Sequence, residues 1–229
     1  MLLMIAAAVV PALVLLIRVY RADRLEKEPI RLLLSLVGLG VGSTFLASIT
    51  EWAGGLVLSA ALEEDSLLYR LVFNFAVVGL SEEGFKYLLL KKRTWRSPEF
   101  NCQFDGVVYA VFVSLGFALW ENLGYTLTYG LSTALARAVT AVPGHACFGV
   151  FMGVWYGMAR RWELYGEPER SRRARRSAVL VPTLLHGCYD FIASMQQAMF
   201  ALIFLVFVLA MFIVAFRLVK RLSQNDSYL

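Results

Sequence analysis

The sequence predicts an all-α, polytopic membrane protein, a bundle of about seven transmembrane helices. Of its 229 residues, 59% are hydrophobic, and the mean hydropathy is +0.64. A soluble domain of this length needs more polar surface than this composition supplies. Each span takes about 20 apolar residues to cross a hydrocarbon core of roughly 30 Å, so seven spans use nearly the whole chain. We therefore expect a single transmembrane domain, residues 1–229.

Apolar runs predict the helices in order. They lie near residues 1–19, 30–60, 67–90, 104–129, 133–159, 178–196 and 198–217. Polar segments separate them, the longest being the basic loop that follows Arg160. The first run has no charged segment before it and is followed by Arg18 and Arg21, so we expect a retained helix rather than a removed signal peptide.

The basic residues predict the orientation of the bundle. Nearly all of the 22 Lys and Arg residues flank apolar runs, in the groups 18–31, 91–96, 160–176 and 217–221. Cytoplasmic loops collect Lys and Arg, so the N-terminus is expected outside and the C-terminus in the cytoplasm. The run RSRRARR at 170–176 is then a contact with anionic lipid, and we expect no nucleic-acid partner.

The third span contains Ser81-Glu82-Glu83-Gly84-Phe85-Lys86 between apolar stretches. Lys86 follows the two glutamates by three and four residues, so its ammonium can pair with either carboxylate on the helix surface. A buried structural ion pair would explain Lys86 and one glutamate. It would leave the second glutamate unexplained.

The fourth span begins with Phe-Asp105-Gly and carries Glu121-Asn122 farther along. Small residues at Gly106, Ala110 and Ser114 recur every four positions, which predicts close packing against another helix. Helix packing does not explain an acidic residue at position 121.

Each of the next two spans carries one histidine. In the fifth span, His145 follows Pro143 and precedes glycines at four-residue steps, so we expect His145 at a bend and a closely packed neighbouring helix. A lone histidine there could equally be a satisfied hydrogen bond between helices. In the sixth span, which contains Pro182, His186 and Asp190 share one helical face. There the carboxylate can orient the imidazole, or both can bind a water or a metal.

These charged groups cannot be scattered over lipid-facing surfaces. A single charged side chain at the bilayer centre costs roughly 2.5–3.5 kcal/mol, and the third to sixth spans hold five of them: Glu82, Glu83, Lys86, Glu121 and Asp190. We predict that they share a polar cavity with the two histidines, in helices three to six at about residues 67–196.

The predicted depths of these groups disagree. At about 1.5 Å per helical residue, the paired glutamates and His186 lie about 12–15 Å from the basic loops, and His145 and Glu121 about 22–25 Å. A shared cavity therefore requires tilted or broken helices, and Pro143 and Pro182 favour broken ones.

In this order the motifs resemble the PrsW family of bacterial membrane proteases. They are EExxK at 82–86, FDG at 104–106 with FxxxEN at 117–122, a histidine with trailing glycines at 145–153, and HxxxD at 186–190. PrsW proteins resemble the CAAX prenyl endopeptidases and the APH-1 subunit of γ-secretase. The CAAX relatives have a histidine where this chain has Glu121, so the role of that histidine does not carry over.

The resemblance implies an intramembrane endopeptidase of the bacterial cytoplasmic membrane that makes the site-1 cut in a membrane-anchored anti-sigma factor. The partners are then this protein substrate and the lipid bilayer. The resemblance also implies an active site of paired glutamates and histidine. The candidate catalytic residues are Glu82, Glu83, Glu121, His145, His186 and Asp190, with Lys86, Asn122 and Asp105 supporting them.

Two mechanisms are open. In the first, no cofactor is present: Glu82 or Glu83 activates water, Asp190 positions His186, and His145 assists as an acid or an oxyanion donor. In the second, Zn²⁺ is bound by a set drawn from His145, His186, Glu82, Glu83 and Glu121, and another glutamate takes the proton from water. Two other functions are possible. The protein could be a transporter, because intramembrane carboxylates also line ion paths, or a non-catalytic scaffold, because they also stabilise helix bundles.

Overall fold

The computed structural model describes residues 2–229 and confirms the all-α prediction. Its helices are α1 (Leu2–Ala22), α2 (Ile30–Ala61), α3 (Leu67–Val72), a π-helix (Phe73–Gly79), α4 (Leu80–Thr94), α5 (Asp105–Tyr129), α6 (Leu131–Val139), α7 (Ala141–Leu164), α8 (Pro168–Ala193) and α9 (Ala198–Gln224). The helices α3 and α4 continue through the π-helix, and only Thr140 separates α6 from α7. The described residues thus form seven helical segments.

Five of these segments are long and apolar enough to cross a membrane: α1, α2, α5, α6 with α7, and α9. The other two, α3–α4 and α8, carry the paired glutamates and the His186-Asp190 pair. Seven transmembrane spans therefore stays a prediction. The predicted first span, 1–19, includes Met1, which lies outside the described residues.

The predicted start of the sixth helix, at residue 178, is wrong. Helix α8 begins at Pro168, and the basic run 170–176 is helical rather than a loop. Arginine and alanine are good helix formers, and proline suits the first turn because its missing N–H has no partner there. Hydropathy marks only the apolar part of such a helix and does not detect the charged turns before it.

Two irregularities interrupt helices that carry site residues. The π-helix at Phe73–Gly79 lies directly before the turn with the paired glutamates. The second irregularity is at Thr140, so Pro143 lies in the first turn of α7, where proline is tolerated. The break in the helix, at Thr140, therefore lies about one helical turn before His145, where the sequence predicts a bend.

Helix α5 lies at the centre of the bundle and is buried continuously from Asp105 to Ala118. It packs against α1, α2 and α7. The predicted small-residue contact joins α5 to α7: a Cβ atom at Gly106 would lie 2.8 Å from the carbonyl oxygen of Gly153, and one at Gly149 would lie 2.9 Å from Ser114 Oγ. The two backbones therefore meet with no room for side chains.

The loops predicted to be cytoplasmic meet at one end of the bundle. The Leu229 amide donates to the Asn101 carbonyl at 2.7 Å, and the Gln103 amide donates to Ser227 at 3.3 Å. Ser223 Oγ donates to the Ala22 carbonyl. The α1–α2 loop, the α4–α5 loop and the C-terminal tail thus share one face, as an alternating topology requires.

We predict that Gly153→Ala destabilises the bundle by about 1–3 kcal/mol, the usual effect of overpacking. The added Cβ would collide with the backbone of Gly106 and Val107. The matched control is Gly38→Ala, because a Cβ at Gly38 meets nothing within 4 Å. Thermal unfolding of both purified variants in detergent measures the difference. Equal midpoints would contradict the proposed tight contact between α5 and α7.

Candidate active site

Helix α4 presents three charged side chains to the interior of the bundle. Glu82, Glu83 and Lys86 are all buried. The Lys86 ammonium lies 3.0 Å from Glu82 Oε2 and 2.8 Å from Glu83 Oε1. The pairing predicted from their spacing is present, and it includes both glutamates.

His186 on α8 joins this group through one ring nitrogen. Its Nδ1 lies 3.0 Å from Glu83 Oε1, and its Nε2 lies 3.2 Å from Asp190 Oδ2. His186 and Asp190 therefore share a helical face, as their spacing indicates, and the carboxylate of Asp190 fixes the orientation of the ring. Phe148 stacks on the imidazole, with ring centroids 4.7 Å apart.

His145 on α7 joins the same group from another side. Its Nε2 lies 3.0 Å from Glu121 Oε2, and its Nδ1 lies 3.3 Å from the Lys86 ammonium. With the Nε2 proton donated to Glu121, Nδ1 can accept from Lys86. The ring of Phe117 covers the ammonium, 3.8 Å from its centroid.

The structure brings together residues whose predicted depths differed by about 10 Å. His145 contacts Lys86 and Glu121 directly, and its ring centroid lies 5.3 Å from that of His186. Two of the four contributing helical segments are irregular, at Thr140 and at Phe73–Gly79. A depth calculated from the number of residues between a loop and the side chain assumes a regular helix, so it does not include such irregularities.

The two histidines have equivalent surroundings. Each holds Nε2 against an outer carboxylate, Glu121 or Asp190, and each turns Nδ1 toward the group around Lys86. Metal-binding histidines usually donate their other ring nitrogen to a carboxylate in this way, because that bond fixes the tautomer and the ring orientation.

Four of these residues fit a metal ion. Glu82, Glu83, His145 and His186 each offer a ligand atom, and these atoms lie within 4.8 Å of one another. Glu83 Oε2 is buried and has no hydrogen-bond partner in residues 2–229. Two imidazole nitrogens and two carboxylate oxygens suit Zn²⁺. Lys86 would have to turn its ammonium away, because two cations cannot share these atoms.

Glu121, the fifth predicted metal ligand, lies on the outer side of His145. Its Oε2 accepts from His145 and lies 2.6 Å from Arg137 Nη2. Glu121 is outside the four-residue group described above. The geometry makes it an orienting partner of His145.

Sequence reasoning missed two residues near the site. Arg137 on α6 pairs with Glu121 and donates from Nε to Asn122 Oδ1 at 3.1 Å. Glu51 on α2 has a buried Oε1 without a hydrogen-bond partner among the described residues. Both are charged residues inside apolar runs, and this signal, applied to every span, would have found them.

A cavity of about 450 Å³ leads to this cluster between α2 and α5. It is lined by Thr44, Phe45, Ser48, Glu51, Glu82, Phe117, Trp120, Glu121, Gly124, Tyr125, Thr128 and Tyr129. Of the four possible metal ligands, only Glu82 contributes to its wall. Glu82 is therefore the member of the cluster that a substrate in the cavity would meet.

Two predicted supporting residues lie apart from the four-residue group. Asn122 is buried and donates to the Ala8 carbonyl at 3.0 Å, which ties α5 to α1. Asp105 lies at the first residue of α5, sixteen residues before Glu121, or about 24 Å along the helix. Asp105 does not contact the candidate active site.

Comparison with known proteins identifies the family. The chain matches the PrsW family intramembrane metalloprotease over residues 28–216. It is 34% identical over 225 residues to Protease PrsW of Oceanobacillus iheyensis, covering 98% of both chains. It is 32% identical over 189 residues to Protease PrsW of Bacillus subtilis, covering 82% of this chain and 81% of the relative.

A third relative extends the match. Protease PrsW of Halalkalibacterium halodurans is 30% identical over 223 residues, which cover 97% of this chain and 98% of the relative. No solved structure matches the chain. The family match covers most of the chain and includes all four helical segments that carry the cluster, so the chain belongs to the PrsW family of intramembrane metalloproteases.

Proposed function

We propose that this peptidase cuts a membrane-anchored protein in the cavity between α2 and α5, with Glu82 as the general base. The position of Glu82 carries the proposal. Glu82 lines the cavity, whereas Glu83 is fully buried behind it, between Lys86 and His186. A general base must reach a water molecule beside the substrate, and Glu82 is the glutamate of the pair that can do so.

The reaction is hydrolysis of a peptide bond. The Glu82 carboxylate takes a proton from water while the water oxygen attacks the scissile carbonyl carbon. The protonated Glu82 then gives that proton to the leaving nitrogen as the carbon–nitrogen bond breaks. In the form without a metal, Lys86, 3.0 Å from Glu82 Oε2, supplies positive charge near the developing oxyanion.

Glu83, His145 and His186 would hold zinc in this site, with Glu82 beside them as the base. Zinc, when bound, polarises a carbonyl group and lowers the pKa of a bound water. Glu121 and Asp190 keep both rings oriented from outside. The charges around the site support the binding of a cation. Lys86 and Arg137 are its described cations, and they face five carboxylates: Glu51, Glu82, Glu83, Glu121 and Asp190.

The substrate we propose is a membrane-anchored anti-sigma factor, as the resemblance to PrsW proteases implies. The cavity wall combines aromatic rings with the acidic residues Glu51, Glu82 and Glu121. Aromatic and apolar surfaces suit a chain that arrives from lipid, and the polar groups supply water and hydrogen bonds for the exposed peptide. The bacterial relatives support residence in the cytoplasmic membrane of a bacterium.

We predict that Glu82→Gln, Glu83→Gln and His186→Ala each lower cleavage at least about 10²-fold, the range of general acid–base catalysis. The assay follows cleavage of a tagged, single-span anti-sigma factor produced together with each variant in a bacterial host. Glu64→Gln is the control, because Glu64 is an exposed loop residue. Unchanged cleavage in all three variants, each accumulating normally in the membrane, would contradict the proposed site.

We also predict that the purified protein holds about one zinc ion per chain and that His145→Ala and His186→Ala lose it. Each substitution removes one of the two imidazole ligands, and a metal site needs its full ligand set. Elemental analysis measures the zinc, and activity before and after chelation tests its role. Activity that survives complete metal removal would exclude the zinc form and leave the glutamate form.

Cysteine labelling tests the predicted orientation of the chain in the membrane. In a variant without the three native cysteines, Glu64→Cys should react with a membrane-impermeant maleimide in spheroplasts, and Ser227→Cys should react only after lysis. Both positions are exposed at loop or terminal sites. The expectation follows from the basic loops being cytoplasmic. Labelling of Ser227→Cys in intact spheroplasts would place the C-terminus outside.

A further inference from the structure

The geometry points to a second metal site: we propose that Asp23, Glu28 and Asp105 bind a divalent cation with oxygen ligands, Ca²⁺ or Mg²⁺. The site lies at the end of the bundle where the α1–α2 loop, the start of α5 and the C-terminal tail meet. It is separate from the candidate active site, because Asp105 and Glu121 lie sixteen residues apart on the same helix.

The three carboxylates are arranged as ligands of one ion. Each offers an oxygen, and the three atoms lie within 4.8 Å of one another. Oxygen ligands lie about 2.3–2.6 Å from Ca²⁺ and about 2.0–2.1 Å from Mg²⁺. One ion can therefore touch all three oxygens with little or no rearrangement.

The three carboxylates are buried, and Asp23 and Glu28 have oxygens without a hydrogen-bond donor among the described residues. Asp23, Glu28 and Asp105 are each at most 2% exposed. Both carboxylate oxygens of Glu28 and Oδ2 of Asp23 have no hydrogen-bond partner in residues 2–229. Two more unpartnered oxygens, on Asn101 and Asp226, belong to the segments that meet here. A buried acceptor without a donor is costly, so five such oxygens in one region favour the binding of a cation.

The basic residues nearby do not supply that cation. In the described chain, no Lys, Arg or His nitrogen lies within salt-bridge distance of Asp23, Glu28 or Asp105. Lys27 lies between the first two in sequence, but its ammonium donates to the backbone carbonyls of Tyr20 and Asp23. The carboxylates thus face one another with no positive side chain between them.

The surrounding backbone holds the ligands in place. Oδ2 of Asp105 accepts from the amides of Cys102 and Asn101, at 2.6 and 3.0 Å, which leaves Oδ1 outside these bonds. Glu28 is followed by Pro29, whose fixed φ restricts the loop just before α2 begins. The arrangement is therefore in place before an ion binds.

The chemistry of the ligands agrees with the geometry. Buried charges are tolerated when they coordinate a metal, so a bound cation would stabilise the three buried carboxylates. Carboxylate ligands without imidazole favour Ca²⁺ or Mg²⁺ over the zinc suited to the active site.

The test measures ion binding and stability with the full-length protein in detergent. After treatment with EDTA and removal of the chelator, equilibrium dialysis with Ca²⁺ or Mg²⁺ should show one tightly bound ion per chain. At a hundredfold excess over the Kd, the thermal midpoint should rise by roughly 5–10 °C. Binding of neither ion would overturn the proposal.

Matched variants locate the ion. Glu28→Gln and Asp23→Asn should each lose the bound ion and the rise in midpoint. Glu26→Gln, in the same loop, should keep both, because Glu26 bonds to Asn101 and is outside the ligand set. His186→Ala should also keep them, which separates this site from the zinc site. Equal binding in the Glu28→Gln and Glu26→Gln variants would overturn the assignment.

Discussion

The pairing of Lys86 with both glutamates is the interaction on which the rest of the active-site architecture depends. A charge left alone in the hydrocarbon core is costly, so α4 must turn this face inward and its neighbours must complete the polar surroundings. Helix α8 supplies His186, which contacts Glu83, and α7 supplies His145, which contacts Lys86. The outer carboxylates then complete the hydrogen bonds of the two rings. Electrostatics thus determines which helix faces meet.

Close packing makes that meeting possible. Helix α5 is the central element, and α7 approaches it through glycines whose backbones leave no room for side chains. In lipid, small residues of this kind allow helices to associate through van der Waals contact, since the hydrophobic effect does not drive association there. The same α5 carries Glu121, and α7 carries His145, so the glycine contact and the Glu121–His145 bond hold the same pair of helices.

The sequence predicted the parts of this site that are local along the chain. The contacts of Lys86 with the two glutamates and of His186 with Asp190 follow from spacings of three and four on a helix, which geometry fixes. Contacts between helices are different, because they depend on where a helix breaks. Constant rise placed His145 and Glu83 at different depths, and the break at Thr140 and the π-helix could not be located by periodicity. Hydropathy likewise places the start of the sixth helix at the apolar boundary, residue 178, although α8 begins at Pro168 and includes the basic turns.

Asp105 shows how one motif can be assigned to the wrong place. Its FDG motif is one of those that carry the family resemblance, and this made Asp105 a supporting residue of the active site, yet it lies at the opposite end of α5 from Glu121. At both ends of this helix, buried carboxylates need positive charge or hydrogen-bond donors nearby, but different groups supply them. Around Glu121, cations and imidazoles offset the carboxylates, and the nitrogen and oxygen donors suit zinc. Around Asp105, the side chains that could share an ion with it are the carboxylates of Asp23 and Glu28, and two backbone amides donate to its Oδ2. A cluster of that kind can hold shared protons or a hard cation, and its unpartnered oxygens favour the cation.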